Sequence, residues 1–377
     1  MKKLLIDEKF LEQTLIELLH IHSPSGYTDQ VVHYVCQMLH QLHIPYNVTR
    51  RGAIRATLPG QRDTCDRAIL AHLDTLGAMV RKLKTNGRLG LAPVGTWPSR
   101  FAEGARVTVF TDKGSWRGTV LPLKASGHTY GNEVNEQHTD WDCLEVRLDI
   151  RVSDEQELFD AAIQVGDFVV FDTLPEIAPN GFINARHLDD KAGVAALLAA
   201  VQSLVSSNIN LPVDCHLIFT IFEEVGSGAS SAVYGGVTEM VVIDSAPVAP
   251  PQNATEYGVT IGMMDQTGPF DYHLIRKLTD LCRQNKIEIH KDVFKFYRSD
   301  SASAIEAGSD TRTALVCFGV DGSHGFERTH ISSLKAVAEL ISLYIQSEPT
   351  FTRDKDEVSS LSGFPHQPER DVIKIKT

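Results

Sequence analysis

Several apolar runs in this 377-residue chain stop abruptly on His, Asp or Glu, and a chain that repeats this pattern has few ways to fold. Leu217-Ile218-Phe219-Thr220-Ile221-Phe222 ends on Glu223-Glu224, followed by Val225-Gly226-Ser227-Gly228. Ala68-Ile69-Leu70-Ala71 runs into His72-Leu73-Asp74, and Met240-Val241-Val242-Ile243 runs into Asp244. Asn184-Ala185-Arg186-His187-Leu188 precedes Asp189-Asp190, and Val316-Cys317-Phe318-Gly319-Val320 leads through a Gly-rich loop to His324 and His330. A buried strand that ends in charge places that charge at the carboxyl edge of an open α/β sheet, where such sheets keep their ligand sites. A single Glu-Glu pair would be read as solvated, because unpaired charges are rarely buried. The recurrence of the pattern argues for one shared site.

The rest of the pattern supports an open mixed sheet. Residues 7–20 read as an amphipathic helix, and Thr28 can cap a second helix whose apolar side carries Val31, Val32, Val35, Met38, Leu39 and Leu42. Strands follow near 45–50, 54–58 and 68–72. From about 79 to 182 the pattern changes to short strands separated by Gly, Asp and Asn turns, at 107–110, 118–121, 144–150 and 168–171, with a helix near 153–163. These read as an inserted small β-barrel. Alternation then resumes: helix 190–205, strand 213–222, helix 228–234, strand 240–244, helix 270–285 and helix 332–346. The expected fold is α/β: an open mixed sheet flanked by helices on both faces, built from residues 1–78 and 183–349, with an inserted β-domain at 79–182 and a polar tail at 350–377.

Composition narrows the function classes. A formal net charge of −12 without a dense Lys/Arg cluster argues against nucleic acid. No segment approaches the roughly 18 apolar residues of a membrane span. The start, Met1-Lys2-Lys3-Leu4-Leu5-Ile6, soon meets Asp7, Glu8 and Lys9 and lacks the apolar core of a secretory signal, so a cytoplasmic location is expected. The six cysteines form no Cys-x-x-Cys pair and are expected as buried thiols. Neither a Walker-type phosphate loop nor a dinucleotide fingerprint is found.

His, Asp and Glu together form a mixed nitrogen and oxygen donor set that suits zinc, cobalt or manganese. Within Glu223-Glu224, alternate side chains on a strand end point in different directions, so one acid can bind a metal while the other handles a proton. The His72-Leu73-Asp74 spacing lets Asp74 accept the second N–H of a ligating imidazole, with capping of the following turn as the alternative.

With these residues in order over nearly the whole chain, from Ser23-Pro24-Ser25-Gly26 to the helix after His330, the sequence resembles the glutamyl-aminopeptidase and tetrahedral (TET) aminopeptidase family of dinuclear zinc metallopeptidases. The resemblance implies a zinc-peptidase-like catalytic domain, with His72 and Asp244 as terminal ligands, Asp189 bridging two ions, and Glu224 and His330 completing the shells. It implies Glu223 as general base, Asp74 in a supporting catalytic role, and two divalent ions per subunit, zinc first and cobalt or manganese in its place. The implied activity is removal of N-terminal residues from short peptides through a metal-bridging hydroxide. The alternative is a related amidohydrolase or deacylase for one peptide-like metabolite. The implied assembly is a homo-oligomer, twelve chains in relatives, with no nucleic-acid or membrane partner.

The sequence departs from the family pattern between Asp321 and His330, where it offers two histidines. His330 is preferred because Ile331-Ser332-Ser333-Leu334 then begins a helix, leaving His324 to line the cleft or sit in a loop. Specificity is expected from loops around 252–266 and 297–313. There Asp300, Asp310 and Arg312 either read the substrate or pair with one another, and pairing is favoured.

Overall fold

In the computed structural model, residues 1–62 and 64–368 are described; the last part of the expected 350–377 tail, residues 369–377, lies outside them. The apolar runs form the centre of a 12-stranded mixed sheet. Its middle is parallel: Cys215–Thr220 pairs with Asp66–His72, which pairs with Val237–Val248, which pairs with Arg312–Asp321. These strands are buried along almost their whole length, which is why they read as continuous apolar runs without alternation. Antiparallel strands flank them, Ile54–Leu58 on one side and Glu327–His330 with Phe182–Ala185 on the other.

Register carries the run ends to one edge. Thr220 lies opposite His72, and Asp244 lies opposite Cys317 and two residues beyond the Val242–Leu70 pair. The helix Leu188–Ser206 is apolar on nearly every side and packs between the sheet and the helices Glu8–His20 and Ile331–Gln346. A helix buried all round needs no amphipathic stripe, and its Ala-rich sequence permits close packing.

A closed six-stranded barrel lies between Gly77 and Phe171 and has its own core, including Val80, Leu91, Val107, Val120, Val146 and Phe171. Two of its strands, Gly77–Leu83 and Leu89–Val94, go beyond those expected from sequence. The expected helix at 228–234 is only the 3₁₀ turn Ala229–Ser231. The two expected loops contain regular structure, the strand Val259–Asp265 and the helix Asp300–Glu306.

At the seam between barrel and main sheet, Tyr27 stacks on Phe110 with centroids 5.1 Å apart, and the His22 ring lies 6.0 Å from Phe110. Burial, reinforced by the Lys191 charge, pulls the His22 imidazole down from 6.5 to about 4. The unfolded chain therefore binds more protons than the fold between those values, and stability falls as pH drops through 6.5, levelling off below 4. At about 1.4 kcal/mol per pH unit, His22 can account for up to about 3 kcal/mol of that loss. His22→Phe should flatten the acid limb of a urea-denaturation profile measured between pH 7 and 4. In the strand leading to the site, a Cβ on Gly319 would meet the Thr255 carbonyl oxygen at 1.9 Å. Gly319→Ala should therefore cost about 3 kcal/mol in the same assay.

Candidate metal centre

His72 ends its strand with its imidazole fixed at both nitrogens. Nδ1 lies 2.8 Å from the Asp74 carbonyl oxygen, which can only accept, so Nδ1 carries the hydrogen. Nε2 then faces Asp189 Oδ1 at 3.0 Å. His324 repeats this arrangement from a different part of the chain. Its Nδ1 lies 3.0 Å from the carbonyl oxygen of Thr96 in the barrel segment, and its Nε2 lies 3.7 Å from Asp189 Oδ2 and 3.9 Å from Glu224 Oε2. The two oxygens of one carboxylate are thus faced by two different imidazoles. Ser245 Oγ donates to Asp189 Oδ2 at 2.8 Å, and the neighbouring Asp244 accepts from the Ser245 N–H at 2.6 Å.

Asp189 opens the long buried helix, where Asp189 and Asp190 have non-helical backbone angles. Asp190 takes no part in the bridge: its Oδ2 accepts from the His72 N–H at 3.1 Å. Gly193 makes room for it, since a Cβ there would lie 2.0 Å from Asp190 Oδ1.

The electrostatics are those of an overcrowded anionic pocket. Burial, with repulsion from neighbouring carboxylates, pushes Glu223, Asp244 and Asp190 well above the usual carboxylate range. Burial lifts Glu224 to about 8 against the pull of His324. Asp189 goes the other way: burial is outweighed by the attraction of the nearby His324 and His72 imidazoles, and its pKa falls. For His72, burial is outweighed by the hydrogen bond to Asp189 and the Glu223 charge, so it rises well above 6.5.

The residues fit divalent cations. His72, Asp189 and Glu224 each offer a ligand atom within 4.8 Å of the others'. Among the described residues, Glu224 Oε1 and Asp190 Oδ1 are buried with no hydrogen-bond partner. Orphaned acceptors, clustered carboxylates and imidazoles whose Nε2 atoms point into the carboxylate cluster form the donor chemistry of zinc, cobalt or manganese sites.

The structure brings His72, Asp189, Glu223, Glu224 and Asp244 together, with Glu223 Oε2 at 3.8 Å from His72 Nε2. It places two other expected residues differently. The Asp74 carboxylate does not hold the imidazole, since its Oδ1 is 3.7 Å from His72 Nδ1 and the backbone carbonyl takes that bond. The carboxylate instead accepts from Ser25 Oγ at 2.5 Å and from the N–H groups of Glu223 and Glu224 at 3.1 and 3.3 Å. His330 is outside the cluster. Its Nδ1 accepts from the Ser332 N–H at 3.1 Å, so Nε2 carries the hydrogen donated to the Asn180 carbonyl at 2.9 Å, and neither nitrogen is free. It caps the helix that begins at Ile331.

The reason is a chain reversal. Arg312–Asp321 ends at the carboxyl edge, so His324 stays there, whereas Glu327–His330 runs back antiparallel and carries His330 away. Asp300 and Arg312 do not pair: Arg312 binds Asp271 and Asp354, and Asp300 accepts from Thr220 Oγ1 and the Ala229 N–H. Thr96, Ser245 and Glu327, which touch the site, have no local sequence signal.

The M42 glutamyl aminopeptidase family matches residues 52–340 of the chain. This chain belongs to that family. It is 36% identical to YhfE of Bacillus subtilis (strain 168) over 332 residues, covering 88% of this chain and 96% of that protein. Its fold is shared with the aminopeptidase APDkam598 from the archaeon Desulfurococcus kamchatkensis, at TM-score 0.83 and 21% identity over 94% of this chain and 98% of that one. The Pyrococcus horikoshii TET1 peptidase, which assembles into a tetrahedron or a large octahedral shell, superposes at TM-score 0.77 and 23% identity, over 89% and 99% of the two chains. Membership makes this M42 protein a hydrolase of the aminopeptidase class.

The geometry separates the two late histidines experimentally. In this M42 peptidase, His330→Ala should cost about 1 kcal/mol in denaturant through loss of the helix cap, leaving metal content unchanged. His324→Ala should lower metal content measured by elemental analysis.

Proposed function

We propose that the protein is a dinuclear metal-dependent aminopeptidase that removes N-terminal residues from short peptides. The observation that supports this most directly is the Asp189 carboxylate, whose Oδ1 faces His72 Nε2 and whose Oδ2 faces His324 Nε2. A carboxylate approached on each oxygen by a separate imidazole is suited to shared coordination. His72, Asp189, Glu224, Asp244 and His324 would hold two divalent ions, zinc first, with Asp189 common to both. His324 takes the place expected of His330.

When bound, such ions polarise a scissile carbonyl and make the attacking water more acidic. Glu223 is the residue that moves the proton. The Asp74 carboxylate pins its backbone N–H, while its side chain stands beside His72. Glu223 would accept a proton from water as the new carbon–oxygen bond forms. It would then return that proton to the peptide nitrogen as the carbon–nitrogen bond breaks. Asp74 acts through this strand end, setting both acids at once.

Among the described residues no helix is long and apolar enough to cross a membrane. The shells formed by the Pyrococcus TET1 peptidase support a homo-oligomer for this chain as well.

Glu223→Gln should lower kcat by about 10²–10⁴-fold with both ions retained. Unchanged hydrolysis would remove Glu223 from the mechanism. The class of substrate is read by comparing unblocked peptides with their N-acetylated forms. A free α-amine should be obligatory, and preference for the acylated forms would instead identify a deacylase.

A further inference from the structure

Two backbone N–H groups at the centre have no partner in helix or sheet. One belongs to Asp189, in the opening turn of its helix, where N–H groups lack intrahelical acceptors. The other belongs to His324, whose φ of +65° puts it in the left-handed region within a turn. Both are satisfied by one side chain. Glu327 Oε1 accepts from the His324 N–H at 2.8 Å, and Oε2 accepts from the Asp189 N–H at 3.2 Å. Glu327 is 1% exposed and pairs in register with Ala185, four residues before Asp189, and its carboxylate links the two segments through these hydrogen bonds.

We propose that Glu327 is a positioning residue for the metal centre: its carboxylate ties the loop carrying His324 to the helix start carrying Asp189 and sets the separation of these two ligands. The inference rests on the dinuclear reading above. It follows from what each alternative side chain could do. A carboxylate offers acceptors at both ends, and both are used here. Glutamine has the same shape but one acceptor, so its NH₂ would oppose one of the two N–H groups. Aspartate keeps both acceptors but is one methylene shorter and cannot reach both donors from the same backbone position. Partners of this kind typically tune metal affinity by about 10–100-fold.

The test is a titration of chelator-stripped protein with Co²⁺ and with Zn²⁺, followed by calorimetry and, for Co²⁺, by the visible spectrum. The wild type should take up two ions. In Glu327→Gln and Glu327→Asp, affinity for at least one ion should fall by about 10–100-fold, the KM for peptide should hold, and excess Zn²⁺ should restore most of the lost kcat. Metal-free melting temperatures identify a variant that has merely lost stability. Wild-type affinity for both ions in the two variants, with or without such a loss, overturns the proposal while leaving the dinuclear reading intact. A wild type that takes up no ions overturns both.

Discussion

Two imidazoles aimed at opposite oxygens of Asp189 are the contact on which the arrangement of this site depends. Around them the fold gathers Glu223, Glu224, Asp244 and Asp190 in a buried space, an arrangement that is electrostatically costly without compensating cations. Each imidazole is oriented the same way, with Nδ1 on a backbone carbonyl and Nε2 left as the donor atom. The sheet contributes by register, since the pairing of its parallel strands brings His72, the Glu223-Glu224 turn and Asp244 to one edge.

The carboxylates that are not aimed at the centre are as informative as those that are. Asp74 takes the N–H groups of two consecutive glutamates, which fixes the strand end and so the divergence of their side chains. Asp190 takes the His72 N–H, and Asp300 takes the Ala229 N–H just beyond the Glu223-Glu224 turn. Buried acids that accept from backbone amides act here as braces, doing with charge-assisted hydrogen bonds what regular structure cannot do at strand ends and turns.

Much of this was legible in the chain because strand ends are local. An apolar run followed by His72 or Glu223 announces both the strand and its edge, the run before Asp244 announces a strand that continues to Val248, and five of the expected cluster residues converge. The illegible parts are non-local. The helix that follows His330 points to it as the ligand, but the reversal between Asp321 and Arg328, which decides which histidine stays at the edge, depends on strand pairing. Asp74 was expected on the imidazole because His-x-Asp suggests it, whereas a nearer backbone carbonyl satisfies the ring. The barrel strands Gly77–Leu83 and Leu89–Val94 have no clear sequence signal because Arg81, Lys82 and Gly90 blur their alternation.

The barrel is spliced into the sheet at a sensitive point. It leaves the main chain five residues after His72, and the chain returns through Phe182–Ala185 only four residues before Asp189. It also reaches back through the Thr96 carbonyl to hold the His324 ring. Besides the seam at Tyr27 and Phe110, these three connections of the barrel reach the reaction centre directly or lie within five residues of it. The barrel thus shares both its chain crossings and a ligand-orienting carbonyl with the strand ends that carry the centre.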